Sequence, residues 1–438
     1  MVAPDVAPPK KLPRGCRPRW LAGSRFAESC RKGNTQVVSI GVVRLAERFR
    51  RVRPSATAVL SQKVEDLRAG GRHVLGFGVG EPDFDPPDHV IEAARRALRD
   101  GATRYTSVGG IAPLRSAIGR DSARRRGGVE HAPSEVVVSV GAKHSLFNLC
   151  FALLGPGDQA IIPSPCWVSY PDQTLLAGAE PVLVATDSAD GFKLSPEALR
   201  SAITPRTRAL FLCSPSNPTG AAYSEEELRA LAEVIREHAF WVVVDEIYGA
   251  LVYDGFSQKS LLEVAPDLRD RVIVVDGVSK RFAMTGFRIG WILAPREVAA
   301  ACELLQGQTT TSPATVAQHA ALAALDGPQE PVEAMRQAFE RRRNLVVDGL
   351  NRIPGVSCRA PEGAFYAFFD VRPFLGRLLH GEQLDDDVAL SEWLLERSEC
   401  ALVPGSAFFA PGFLRMSYAT DENTLLEGLR RLAEALSA

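Results

Sequence analysis

Five apolar runs in the middle of this 438-residue chain each end in a turn, and each is followed by enough residues for a crossover. They read QAIIPSP, EPVLVAT, RALFLCSPSNPTG, FWVVVDEIYG and RVIVVDGVSK. Parallel strands need connections of this length, usually helical. Alternating strand and helix segments therefore specify an α/β fold with a doubly wound sheet and helices on both faces. In such sheets ligands bind beyond the carboxyl ends of the strands, so the residues just after each run are where chemistry is expected. Upstream, VVVSVGAKHSLFNLCFALL adds another strand, a Gly-Ala turn and a helix. Downstream, helical patterns run from Val298 to Gln308, Ala314 to Leu325 and Val332 to Leu350. The segments GVSCRAPEGAFYAFFDV and ALVPGSAFFAPGFLRMSYA read as short strands of a second α/β layer, closed by a helix from Asn423 to Leu436.

A hydrophobic content of 46% is enough for a large buried core with a smaller domain attached. The formal charge of −1 leaves no global field for nucleic acid, and no apolar run is long enough to span a bilayer. The expected partners are small molecules. Cys16, Cys30, Cys150, Cys166, Cys213, Cys302, Cys358 and Cys400 form no close pairs, which points to reduced thiols in a cytoplasmic chain and to no metal site. Residues 1–43 are basic and proline-broken, with only Asp5 and Glu28 acidic, and are expected to be a disordered leader. From Val43 to Gly71 the apolar spacing predicts two helices separated at Arg53-Pro54.

The run Val272 to Gly277 is followed by Ser279 and Lys280, and Arg288 comes shortly after. A lysine at a strand's carboxyl end, flanked by Val278, Phe282 and Met284, is desolvated and becomes a nucleophile able to form a Schiff base. Arg288 supplies the planar fork that a phosphate takes. In SPSNPTG two prolines hold Asn217, where it can donate to a phenolate oxygen. Asp245 ends a fully apolar strand, a place tolerable for a carboxylate that meets a cation, and Tyr248 follows one turn later. The amides of Ala142 and Lys143 open a helix and form an anion seat. Tyr105, in the loop RYTSVGG, is a candidate interface or phosphate contact, and the alternating glycines of HVLGFGVGEPDFD, Gly80 among them, imply close packing or a ligand against the backbone. A Schiff-base lysine, an acid for a ring nitrogen, two donors for a ring oxygen and a phosphate seat describe pyridoxal 5′-phosphate.

The motifs GEPDFD, SPSNPTG, DEIY, VSKRFAMTGFRIGW and LRMSYA resemble those of class I, fold type I aminotransferases, closest to the bacterial aspartate and aspartate/prephenate aminotransferase branch. The resemblance covers about Pro54 to the C-terminus. It implies a large cofactor-binding domain over residues 89–326 with a mostly parallel seven-stranded sheet, and a smaller domain made from residues 44–88 and 327–438. By the same resemblance, Lys280 holds the cofactor and then carries the proton, and Asp245 pairs with the ring nitrogen. Asn217 and Tyr248 bond the ring hydroxyl, and Trp167 stacks on the ring. Ala142, Lys143, Ser279 and Arg288 cradle the phosphate, with Tyr105 reaching in from the partner of a homodimer. Arg415 clamps the substrate α-carboxylate beside Gly80. Lys143 reads the distal carboxylate of aspartate or glutamate, and Arg53, Thr106 and Lys193 stand where prephenate-accepting members carry linked residues. The implied reaction is ping-pong transamination with a 2-oxo acid such as 2-oxoglutarate.

The chain departs from that pattern at Pro86, His144, Cys166, Cys213, Gly249, Ala250 and Phe287. These departures leave a shifted substrate range, or lyase or oxidase chemistry on the same cofactor, as the alternative reading.

Overall fold

The computed structural model describes residues 46–52 and 56–437. The expected leader and Arg53 lie outside the described residues. The sheet that the five runs specify has seven strands: β1 (Val136–Val140), β2 (Gln159–Ser164), β3 (Glu180–Ala185), β4 (Thr207–Cys213), β5 (Trp241–Asp245), β6 (Val272–Gly277) and β7 (Ile289–Leu293). Their order across the sheet is β1-β7-β6-β5-β4-β2-β3. β7 runs antiparallel to both neighbours, and every other pairing is parallel. The reason is connection length. Between Gly277 and Ile289 there is room only for the turn of helix Val278–Arg281 and the 3₁₀ turn Thr285–Phe287, so the chain returns instead of crossing over.

The central strands are apolar along most of their length because both faces are covered. Val242, Val244, Val272 and Val274 face a core built with helices Ala112–Arg125, Glu225–Arg236 and Thr315–Asp326. Val243, Ile273 and Val275 face the opposite core, shared with helices Ala142–Leu153, Ser169–Leu176 and Arg296–Gly307. Local signals set several of these boundaries. Ser224 accepts from Glu227 N and donates its own N–H to the Glu227 carboxylate, a capping box that starts Glu225–Arg236.

A second, antiparallel sheet pairs Tyr366–Asp370 with Phe413–Ser417, flanked by Ser357–Cys358 and Val403–Pro404. It packs with helices Glu330–Asn351 and Glu422–Leu436 around Phe339, Phe365, Tyr366 and Tyr418, all buried. Leu75–Gly76 pairs in parallel with Cys400–Ala401, joining an early segment to a late one. One expectation needs correction here. The first of the two helices expected in residues 43–71 is only the 3₁₀ turn Glu47–Arg50, too short and too polar to bury a face, whereas the second is the helix Ala56–Ala69. The glycine-alternating run pairs as a strand at Leu75 and Gly76, and further on a Cβ on Gly78 would meet Leu60 at 2.9 Å, the close packing that its glycines imply.

Among the described residues no helix is long and apolar enough to cross a membrane, and Cys150, Cys166, Cys213, Cys302, Cys358 and Cys400 are free thiols.

Candidate active site

The turns after β1, β4, β5 and β6 converge at one edge of the sheet, and the antiparallel β7 brings its leading residue Arg288 to that same edge. They enclose a cavity of about 350 Å³. Lys280, Asp245, Tyr248, Asn217, Trp167 and Ser279 line it, and so do Ala142, Lys143, Arg288, Gly80 and Arg415. Residues that lie 335 positions apart in sequence, Gly80 and Arg415, thus line one cavity.

Lys280 extends from the turn after β6, and its Nζ donates to the Gly80 carbonyl. Burial, opposed by Glu81 and reinforced by Arg288 and Arg415, brings its amine down to about 8. At neutral pH a usable fraction is therefore the free nucleophile. Asp245 ends β5 and is 4% exposed; burial pushes its carboxyl up to about 6. Its described partners are neutral: Tyr170 donates to Oδ2 at 2.7 Å and the Ile247 amide to Oδ1 at 3.1 Å. A buried carboxyl held by neutral donors and open to a cavity is suited to a cationic partner.

Tyr248 is buried, and its hydroxyl shares a hydrogen bond of 2.9 Å with that of Tyr366. Desolvation holds its phenol well above the usual value, so it stays a neutral donor. Asn217 and Arg415 meet across the two sheets. The Arg415 Nη1 donates to Asn217 Oδ1 at 2.8 Å and Nη2 to the Gly78 carbonyl at 2.7 Å. Arg415 is 1% exposed, and its guanidinium lies 4.4 Å from the Tyr366 ring centroid. Its Nε is buried with no partner, and its pKa is depressed by burial, both marks of a fork waiting for an anion.

A donor set fit for an anion is assembled from backbone and side chain. Helix Ala142–Leu153 begins just after Gly141, whose φ of +82° favours glycine and where a Cβ would lie 2.5 Å from Arg288 Nη2. Arg288 itself takes a left-handed φ of +56°, a strained conformation that turns its side chain toward the helix start, where Nη1 also donates to the Thr285 carbonyl at 2.8 Å. The free amides at the helix start and the Ser279 hydroxyl complete a concave donor set of the kind that takes a phosphate. Lys143 holds its ammonium 5.0 Å from the Trp167 ring centroid, with its pKa lowered by burial and by Arg288.

Some expected site residues are not among those that line the cavity. Tyr105 is 89% exposed and does not line the cavity of its own chain. Arg53 lies outside the described residues, although Thr57, in the first turn of the next helix, lines the cavity. Neither Thr106 nor Lys193 reaches the cavity: Thr106 Oγ1 accepts from Gln318, and Lys193 is ion-paired with Glu227 at 2.9 Å. Sequence reasoning missed Tyr170, Tyr366 and Glu81. Tyr170 carried a usable signal, since it lies three residues after Trp167, on the next turn of chain facing the same site.

Fold and site together define an enzyme that uses a pyridoxal cofactor at the carboxyl edge of an α/β sheet. Comparison with known proteins agrees. The family model described as aminotransferase class I and II matches residues 72–432. The chain is 45% identical over 396 residues to an aspartate aminotransferase of Geobacillus stearothermophilus, covering 90% of this chain and 100% of that one. It is 46% identical to an aspartate/prephenate aminotransferase of Cereibacter sphaeroides, covering 89% and 97%. The crystal structure of aspartate aminotransferase from Rhizobium meliloti superposes with a TM-score of 0.87 at 42% identity, covering 90% and 99%. The Thermus thermophilus aspartate aminotransferase solved with maleate gives 0.84 at 44% identity, covering 90% and 100%. The chain belongs to the class I and II aminotransferases, which are pyridoxal 5′-phosphate enzymes, and within them to the aspartate aminotransferase branch. These relatives do not favour a lyase or an oxidase.

Proposed function

We propose that the protein transfers the amino group of an acidic amino acid, aspartate or glutamate, to a 2-oxo acid such as 2-oxoglutarate by ping-pong half-reactions. The observation that carries this reading is the convergence of Lys280, Asp245 and the unpartnered Nε of Arg415 on one cavity. Pyridoxal 5′-phosphate supplies an aldehyde and an electron-withdrawing ring that make the substrate's α-proton labile. Lys280 would hold the cofactor through its amine, and that amine, when free, would take the substrate's α-proton and return it. Asp245 holds the ring nitrogen's proton, and Tyr248 and Asn217 donate to the ring oxygen. Ser279, Arg288 and the amides of Ala142 and Lys143 hold the phosphate. Trp167 covers the ring, Arg415 with Gly80 fixes the α-carboxylate, and Lys143 reads the distal one.

Several further points support the same reading. Tyr105, fully outside its own cavity, reaches the phosphate of a second subunit, so the working form is a homodimer. The antiparallel sheet and the Leu75–Gly76 pairing with Cys400–Ala401 support a small domain of residues 44–88 and 327–438 beside a large one of 89–326. The free thiols support a cytoplasmic location. Prephenate use, as in the Cereibacter relative's name, rests here on Arg53, because Thr106 and Lys193 do not line the cavity.

The test is spectral. Aspartate or glutamate added to holoenzyme is expected to bleach the lysine-bound cofactor band and raise that of the amine form, and 2-oxoglutarate is expected to reverse it. An unchanged spectrum with every acidic donor would refute the proposal, and a panel including prephenate sets the range.

A further inference from the structure

Behind the cavity lies a charged cluster that the chemistry above does not use. Arg126 ends the helix Ala112–Arg125 and is 2% exposed. Its Nε donates to Glu246 Oε2 at 2.7 Å, its Nη2 to Asp276 Oδ2 at 2.8 Å and its Nη1 to Ser122 Oγ at 3.4 Å. Arg125 joins it on Asp276 Oδ2 at 2.8 Å, and Asp121, one turn earlier, takes both oxygens to Arg281 Nη1 at 2.8 and 2.9 Å. Three guanidiniums thus face three carboxylates, all but Arg125 and Arg281 nearly sealed from solvent.

The positions of these carboxylates matter more than their number. Glu246 follows Asp245, Asp276 comes four residues before Lys280, and Arg281 follows Lys280. The β5–β6 ladder ends at the pair Asp245–Val275, so Glu246 and Asp276 are the first residues beyond it, where the chains part to carry Tyr248 and Lys280. Asp276 also accepts from the Gly277 amide at 2.8 Å, which sets the turn leading to Lys280. Gly249 lies beside the network: a Cβ there would come within 3.1 Å of the Glu246 carbonyl and 3.2 Å of Arg125 Nη2. An apolar cluster of the same volume would hold the strand ends as well or better, since buried ions repay their desolvation poorly. What the fork adds is direction, one planar group fixing two carboxylates at once.

We propose that Arg126 is a positioning residue for the transamination. Through Glu246 and Asp276 it locks the strand end bearing Asp245 against the turn bearing Lys280, and so sets the tilt of the cofactor held between them. This rests on the cofactor-holding roles proposed above. Were those wrong, the parent protein would bind no pyridoxal phosphate, an outcome distinct from any below.

The experiment compares parent holoenzyme with Arg126→Lys, Asp276→Asn and Arg120→Lys. Lysine keeps the charge at 126 without the fork, and Arg120 is an exposed control on the same helix, paired with Asp326. The readouts are cofactor stoichiometry, visible circular dichroism of the bound cofactor, and kcat and KM for aspartate. R126K and D276N are expected to load fully but lose dichroic amplitude, with kcat down about tenfold or more and KM changed far less, as small misplacements of reacting groups do. R120K is expected to match the parent. Folded, loaded R126K or D276N with parental dichroism and kcat would overturn the proposal. If neither variant folds, the network belongs to fold stability and the proposal is equally overturned; if one folds, it carries the test.

Discussion

Replacing Tyr170 by phenylalanine removes one donor from a buried carboxylate and little else. The phenol donates to Asp245 Oδ2 at 2.7 Å, and that bond draws the Asp245 pKa down against the burial that holds it at about 6. A hydrogen bond to a charged group is worth about 1.5–3 kcal/mol, and most of that is lost only from the ionised form. At about 1.4 kcal/mol per pKa unit, the carboxyl should rise by roughly one to two units, to about 7–8. The sign is definite: less of the protein carries the anion that pairs with a cationic ring nitrogen at neutral pH. At pH 7 about nine-tenths of the parent apoenzyme has Asp245 ionised, against roughly a tenth to a half of the variant. Cofactor affinity should therefore fall roughly two- to tenfold at pH 7 and recover toward pH 9. The assay is the dissociation constant of pyridoxal phosphate from apoenzyme, followed by protein fluorescence between pH 5.5 and 9. Y170F is expected to move the rising limb of that curve upward by one to two units. Curves that superimpose would refute the reasoning, since Asp245 would then not need the phenol to stay ionised.

Two other perturbations test the same electrostatic picture. Lys280→Met should stabilise the apoenzyme at pH 7 by up to about 3 kcal/mol, because a lysine brought from 10.5 to about 8 costs the fold the charged form's desolvation. A depressed lysine pKa penalises the fold fully below 8, and the penalty fades as pH rises from 8 to 10.5. The gain in urea midpoint should therefore shrink over that window; a gain constant with pH would contradict it. Arg415→Lys removes the planar fork between Asn217 and the Gly78 carbonyl and should raise KM for aspartate by roughly tenfold to a hundredfold, the worth of one or two charged hydrogen bonds. An unchanged KM would place the α-carboxylate elsewhere.

Much of this architecture is legible in a single chain. The runs ending at Ser164, Ala185, Cys213, Asp245 and Gly277 are strands to within a residue or two, because fully buried parallel strands need unbroken apolar composition. Lys280, Asp245 and Asn217 could be singled out because each breaks an apolar run at its carboxyl end, where a polar group needs a reason. The short strands around Leu75 and Cys400 were harder, since a two-residue pairing between such distant segments leaves no local periodicity. The turn Glu47–Arg50 carries one apolar residue, Phe49, and leaves it exposed.

Other features are visible only in three dimensions. Tyr170 becomes the Asp245 donor, and Tyr366 the Tyr248 partner, across separations of 75 and 118 residues. The Arg126 cluster is likewise invisible along the chain, where it reads as an ordinary charged helix end. Local composition by itself determined which segments are strands, which are helices and which residue types end the strands, because burial and backbone hydrogen bonding act within a few residues. Which of those ends meet, at what protonation and with what partners, was decided by the tertiary structure. Desolvation and charge–charge terms depend on distance through space and on the surrounding dielectric, and neither quantity exists until the strands are laid side by side.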